Sequence, residues 1–466
     1  MILLNSAAEK KRDKMLNENV EPLIMKLAIP TIISMLITTF YNLVDTFFVG
    51  TLENTNATAA VGIVYSLMTI IQAVGFFFGH GSGNYISRAL GNNQYRDAEK
   101  MASTGFFSAI TCGLLITVLG QIFAVPFAGI LGAKDGETMK YTLDYMRIIL
   151  IGAPFMTAQF VLNNQLRFQG NALFAMMGVG SGGIINIFLD YLLISVFSLE
   201  VAGAALATVI GQIVSFIVLF IGVKKSDNVK ITFKNFTPQK TYLLEIARGG
   251  TPSLFRQSVG GVATSCMNNV AFSLAGADAQ AAIAIVMRLS MFVSSAVIGF
   301  GQGFQPVCGF SYGAGRYQRV RRAFFFSVRF TFFALLILSV LFFIFAPQVV
   351  GFMQSGDAEN IQYVISLGAS ALRHQLIVLP LFSFVVMSNM MLQTIGKVFS
   401  ASVLALARQG LFLIPLLYVI SAIFKIEGFL WVQAVADVFS FIITIPMVMP
   451  TIHLLKKDRD GVTVQA

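Results

Sequence analysis

The chain has 466 residues, 56% of them hydrophobic and only 12% charged, with a mean hydropathy of +0.77. A soluble protein carries about 25% charged residues, so this composition excludes a soluble globular domain. The net charge of +10 is spread beside the ends of apolar runs and forms no separate basic domain. That excludes a nucleic-acid partner and leaves the lipid bilayer as the expected one.

In chain order, a charged stretch from Glu9 to Lys14 leads into an apolar run that continues as an ordinary span. It shows no small-residue cleavage site, so no secretory signal is read there. Runs long enough for a bilayer core of about 30 Å then recur along nearly the whole length. Twelve are predicted, at about 23–49, 57–80, 101–125, 138–162, 171–195, 201–223, 245–272, 279–305, 323–346, 361–390, 398–422 and 428–453. Of the 32 Lys and Arg, 23 fall in the N-terminal stretch through Lys26, the C-terminus and every second loop. Only Lys134, Lys140, Arg147 and Lys425 fall at the opposite ends. The positive-inside rule then places both termini in the cytoplasm and the chain in the cell membrane as a multi-pass protein. Cys112, Cys266, Cys308 and the three His show no metal or redox spacing, and no nucleophile–base pair is visible in the spans. No enzyme activity and no cofactor are expected.

Two spans are each interrupted by one acid. Asp45 is the only charged residue from Leu27 to Leu52, and Asp190 the only one from Phe168 to Leu199. An ionisable group there costs about 2.5–3.5 kcal/mol at a helix centre, which makes a functional reading the default. On the first span Met35, Thr38, Asn42 and Asp45 form one stripe, with Tyr41 beside it. Gln159 and Asn163 form a similar pair on the fourth span. Asn186 precedes Asp190 by four residues on one helix face, and Thr208 reaches similar depth on the sixth span. Gly178, Gly180 and Gly183 spell a dinucleotide fingerprint, but it lies inside a span without the strand that motif requires. Close helix packing is the better reading. If the acids, amide and hydroxyl converge, burial and like charge work against ionisation, so the site can load a proton near neutral pH. The same hard oxygens can instead hold Na⁺.

Shifting the first half by 222 residues superposes Pro30 on Pro252, Gly79 and Gly81 on Gly301 and Gly303, and Gly91 and Tyr95 on Gly313 and Tyr317. Shifts of 226 and 225 match Arg147 and Pro154 with Arg373 and Pro380, and Gly203 with Gly428. Six spans per half make these parallel repeats around a central cleft. The expected fold class is an all-α polytopic membrane protein, twelve transmembrane helices in two pseudo-symmetric six-helix bundles. The expected lobes are residues 1–228 and 229–466, joined near 224–244. The second lobe lacks the acids: Met267 stands where Asp45 repeats and Leu416 where Asp190 repeats, while Asp437 lies opposite Gln212. Arg256, Arg288, Arg373 and Arg408 place four positive groups in its spans.

The chain resembles the multidrug and toxic compound extrusion (MATE) transporters over roughly residues 20–455. The resemblance rests on Pro30 with Asp45, on SRALGNNQYRDAEK (87–100) and its repeat SYGAGRYQRVRRAF (311–324), and on NIFLDYLLI (186–194) followed by VAGAALATVIG (201–211). It implies a cation-coupled antiporter, driven by Na⁺ or H⁺, that exports hydrophobic, often cationic or zwitterionic, small molecules by alternating access. It implies a cation site at Asp45, Asn186, Asp190 and Thr208, a hinge at Pro30, and a substrate cavity near Met35, Thr38, Tyr41, Gln159 and Asn163. A monomer suffices for this activity. The alternative is a flippase of lipid-linked precursors or an exporter of an anionic metabolite, which the second-lobe arginines keep in play.

Overall fold

The computed structural model describes residues 2–50, 54–133, 136–225, 229–353 and 360–458, with side chains from residue 8 onward. Lys134, Arg459 and residues 226–228 at the expected lobe boundary lie outside the described residues. Ten helices are long and apolar enough to cross a bilayer, and two of these are double crossings. Lys240–Gly313 breaks at Ala275 and Gly276, where Gly276 takes a left-handed φ of 71° that a side chain would strain. Val398–Leu454 breaks at Lys425. The chain therefore crosses twelve times, each crossing satisfying its own backbone hydrogen bonds.

The second span, Thr55–Gly91, outruns its apolar run by eleven residues. The eighth similarly continues to Gly313. Their polar ends remain helical because they are buried between the lobes rather than solvated in a loop. Two short helices, Ala124–Leu131 and Ala346–Met353, follow the third and ninth spans and repeat each other at an offset of 222.

Spans one to six pack into one bundle and spans seven to twelve into another, and the two meet along the first, second, seventh and eighth. Glycine makes this seam. A Cβ on Gly91 would collide with the Phe310 carbonyl, and one on Gly313 with the Arg88 carbonyl. The offset of 222 carries Gly91 to Gly313 and Arg88 to Phe310, so the contact is reciprocal, as a two-fold axis between the second and eighth spans requires. The seam runs from mid-depth to the face that carries both chain termini. At mid-depth, Gln257 donates to Gln72 at 3.2 Å and the Thr39 and Ser295 hydroxyls lie 2.8 Å apart. Deeper, Thr31 Oγ1 donates to the Gly299 carbonyl at 2.7 Å. Residues 79–91 of the second span are almost wholly buried, whereas 55–70 are largely exposed or half-buried. The lobes are thus closed at the terminus-bearing face and part toward the other.

A helix ahead of the first span, Ile2–Asn17, lies across that closed face. Arg12 donates twice to the Gly91 carbonyl of the first lobe at 3.0 Å, and Lys11 donates to Asn171. From the second lobe, Arg316 donates to the Leu16 carbonyl at 2.7 Å and Arg319 to the Met15 carbonyl at 3.1 Å. Just beyond, Arg322 and Glu21 pair at 2.7 Å. The described part of the linker runs along the third span, with Thr232 and Thr237 amides on the Ser103 and Thr104 hydroxyls and Phe233 and Phe236 against Phe107.

Candidate cation and substrate site

The fifth span owes its position to its glycines. A Cβ on Gly182 would stand 2.6 Å from the Gly211 carbonyl, and one on Gly211 would stand 2.8 Å from the Gly182 carbonyl and 3.0 Å from Asn186 Cβ. Only a paired glycine contact lets the fifth and sixth spans approach this closely. The approach brings Asn186 beside Thr208 and Gln212. Spans one, four, five and six enclose a cavity of about 30 Å³ lined by Thr38, Tyr41, Gln159, Asn186, Thr208 and Gln212, among others. That is room for a water or a small ion.

Five of the nine residues expected at the cation and substrate sites line this cavity: Thr38, Tyr41, Gln159, Asn186 and Thr208. Asp190 sits one turn beyond Asn186, 0% exposed, with both carboxylate oxygens lacking a hydrogen-bond partner among the described residues. Asn186 is 3% exposed and both its amide atoms are equally unpartnered. One oxygen of Asp45 is buried without a partner, and Asp45 lies within electrostatic reach of Asp190. Directly after Asp190 the helix widens into a π-helical stretch, Tyr191–Val196, a distortion that recurs at functional sites. Met35 is half-buried on the first span outside the cavity lining. Asn163 is also outside it: its amide donates to the Ala175 carbonyl at 3.0 Å, strapping the fourth span to the fifth. Its repeat Asn389 makes the same bond to the Ala401 carbonyl at 2.6 Å. Pro30 lies in an unbroken helix, Val20–Gly50, next to the Thr31 bond that ties the first span to the second lobe.

One residue absent from the sequence reading belongs here. Tyr145 is 0% exposed, its hydroxyl donates to Met68 Sδ at 4.0 Å, and it lies within electrostatic reach of both Asp45 and Asp190. Its signal was present: it precedes Gln159 by fourteen residues, close to four helical turns, and so shares that face. Tyr41 lines the same cavity as Gln212. The two tyrosines border the first-lobe site, and the glycine contact holds its helices together.

The second lobe differs in kind. Arg408 pairs with Asp437 at 2.7 Å, Gln433 donates to the same carboxylate at 2.9 Å, and the guanidinium lies 4.0 Å from the Phe382 ring centre. The acid opposite Gln212 is thus already neutralised from within. Arg373 donates to the Phe343 carbonyl at 3.2 Å, and Arg288 is exposed. Because Asp437 is 3% exposed and the Arg408 side chain 14%, Asp437→Asn strands a largely desolvated guanidinium and is expected to cost about 3 kcal/mol. Thermal unfolding in detergent checks this; an Arg408→Met, Asp437→Leu double variant is expected to recover most of the loss.

Fold and cavity together define a two-lobed, twelve-span membrane transporter. The sequence pattern of the MatE family matches residues 30–192 and again 252–419, two stretches that begin 222 residues apart. The chain belongs to the MatE family. It is similar to the multidrug export protein MepA of Staphylococcus aureus (strain MRSA252), 29% identical over 418 residues covering 89% of this chain and 90% of MepA. Its fold matches a structure described as the outward-facing conformation of a multidrug resistance MATE family transporter of the MOP superfamily. The TM-score is 0.89 at 26% identity, over 95% of this chain and 98% of that one. It also matches a crystal structure of MATE in the bent conformation, with TM-score 0.87 and 26% identity over 96% of this chain and 98% of that one.

Proposed function

We propose that this chain is a cation-coupled antiporter that exports hydrophobic small molecules, often cationic or zwitterionic, from the cytoplasm. The observation that carries this reading is the Asp190 carboxylate, buried without a hydrogen-bond partner among the described residues and within electrostatic reach of Asp45. Such a group is costly in a water-poor interior, and one bound cation relieves the cost. Asn186 and Thr208 supply further oxygens of the kind that hold Na⁺, while a proton needs only the carboxylates. The relatives support the transported class, since MepA is a multidrug export protein.

The terminus-bearing face is cytoplasmic in this reading, as the distribution of Lys and Arg requires. The described conformation then faces outward, and residues 1–228 and 229–466 act as the two rocking lobes. The first span couples ion to lobe. Asp45 at its outer end belongs to the acid pair, whereas Thr31 and Thr39 bind the eighth span across the seam. Cation entry changes the charge around Asp45 by one unit and so biases the shape of this helix. Pro30 removes a backbone donor and is the natural point of bending; a relative solved in a bent conformation supports that role. The cycle needs one chain only.

Reconstituted vesicles test the coupling ion. Export of a cationic dye is expected under an imposed Na⁺ gradient without a pH gradient, under a pH gradient without Na⁺, or under both. Absence of export under either gradient overturns the antiporter reading.

A further inference from the structure

Outside the acid pair, the lobe junction holds a second charged constellation of opposite sign. Arg167, which its sequence position suggests is a loop residue, is the largest fully buried side chain, 2% exposed. It donates to Asn164 Oδ1 at 2.6 Å and to Gln302 of the opposite lobe, and lies 3.3 Å from His80 Nε2. Its Nε is buried without a partner. Arg256 approaches from the second lobe, close enough to act electrostatically on both Arg167 and His80. Its own bonds, to Asn389 at 3.3 Å and Ser253 at 3.5 Å, are to neutral groups and are long. No ion pair among the described residues includes Arg167 or Arg256. At the same seam, Arg88 takes the Glu245 carboxylate at 3.0 Å.

Arg256 is half-buried and immediately precedes Gln257, whose bond to Gln72 marks the depth at which the lobes begin to part. It therefore sits at the lobe junction beside that crossing bond, with Arg167 and His80 within electrostatic reach. Two like charges on opposing lobes with no acid between them lack their counter-charge. Guanidinium forks bind planar carboxylates through charge-assisted bonds. The repeat does not explain the arrangement, because Arg256 repeats Ser34 and Arg167 repeats Gln393.

We propose that Arg256, backed by Arg167, is a subsite for a carboxylate carried by the cargo. The proposal rests on the export reading and extends its cargo to molecules that carry a carboxylate. Preferred cargoes are zwitterionic or anionic aromatic molecules whose carboxylate bridges the lobes at this junction, while the first-lobe acids serve the coupling ion.

Equilibrium binding to the purified full-length chain tests this without any gradient, so its failure is separate from failure of the antiporter reading. Fluorescein, which carries a carboxylate, and rhodamine 6G, a cation, are titrated by fluorescence polarisation. Fluorescein is expected to bind, and Arg256→Gln is expected to weaken it relative to rhodamine 6G by about tenfold or more. Arg256→Lys keeps the charge but not the fork and is expected to restore part of the difference, which separates a charge role from a packing role. Absence of fluorescein binding to the unaltered chain, or an unchanged ratio in Arg256→Gln, overturns the subsite.

Discussion

Asp190→Asn is expected to reduce ion-driven dye export to the level of protein-free vesicles while raising thermal stability. The two effects share one cause. Asn has nearly the same shape as Asp, so the 0% exposed position stays filled. What disappears is a carboxylate whose two oxygens find no hydrogen-bond partner among the described residues. Removing an unpartnered buried charge removes a desolvation penalty, of which an order of 1–3 kcal/mol is ordinary for polar groups and more for charged ones. It also removes the group that a cation neutralises in the proposed cycle, and a site that no longer distinguishes loaded from empty cannot shift a conformational balance. Asp45→Asn is expected to act in the same direction with a smaller gain in stability, because Asp45 is only half-buried and one of its oxygens lacks a partner. Vesicle efflux and a melting curve on the same preparation supply both readouts. Full export in both variants would remove the acid pair from the mechanism.

The second large effect is expected at the seam. Gly91→Val and Gly313→Val each place side-chain atoms where the opposite lobe's carbonyl already stands. Overpacking of this kind costs about 1–3 kcal/mol. The cost falls on the described conformation alone if the lobes separate at this face in the other one. Each variant is therefore expected to move the population toward the state open at the terminus-bearing face by about tenfold for every 1.4 kcal/mol. Labelling of a cysteine introduced at Ser87, which is buried in the closed seam, measures the shift after the three native cysteines are replaced. The reciprocal contact makes the two variants near-equivalents, and their combination is expected to fall short of the sum, since the first already parts the surfaces the second would strain. Unchanged labelling in both variants would show that this seam does not open.

Much of this architecture was legible in the chain. Twelve crossings follow from apolar runs of membrane length, and the duplication from Gly, Pro and Arg that recur in register. The matched stretches 30–192 and 252–419 reproduce that offset. The acids stood out because lipid leaves so few ionisable residues in place. The features that escaped notice are those set by partners distant in sequence. Residues 81–91 look like the start of a loop, yet they stay helical because the other lobe buries them. Arg167 counted as a loop cation for the same reason. Asp437 read as a lone acid, since its partner Arg408 lies 29 residues away on another span. Tyr145 was passed over among the apolar residues of its span, although its spacing from Gln159 placed it on the same helix face. The short helices Ala124–Leu131 and Ala346–Met353 share the composition of the spans before them and differ only in where the chain turns.

The helix Ile2–Asn17 has a consequence for speed as well as shape. Its anchors, Gly91 on one side and Arg316 and Arg319 on the other, belong to bodies that must separate for the cleft to invert. If the lobes part at this face in the proposed cycle, these hydrogen bonds have to break first and add to the barrier for leaving the described conformation. Under the proposed antiporter cycle this contact acts as a brake on return to the state open at the terminus-bearing face, and removing Ile2–Asn17 is expected to quicken that return without altering what is carried.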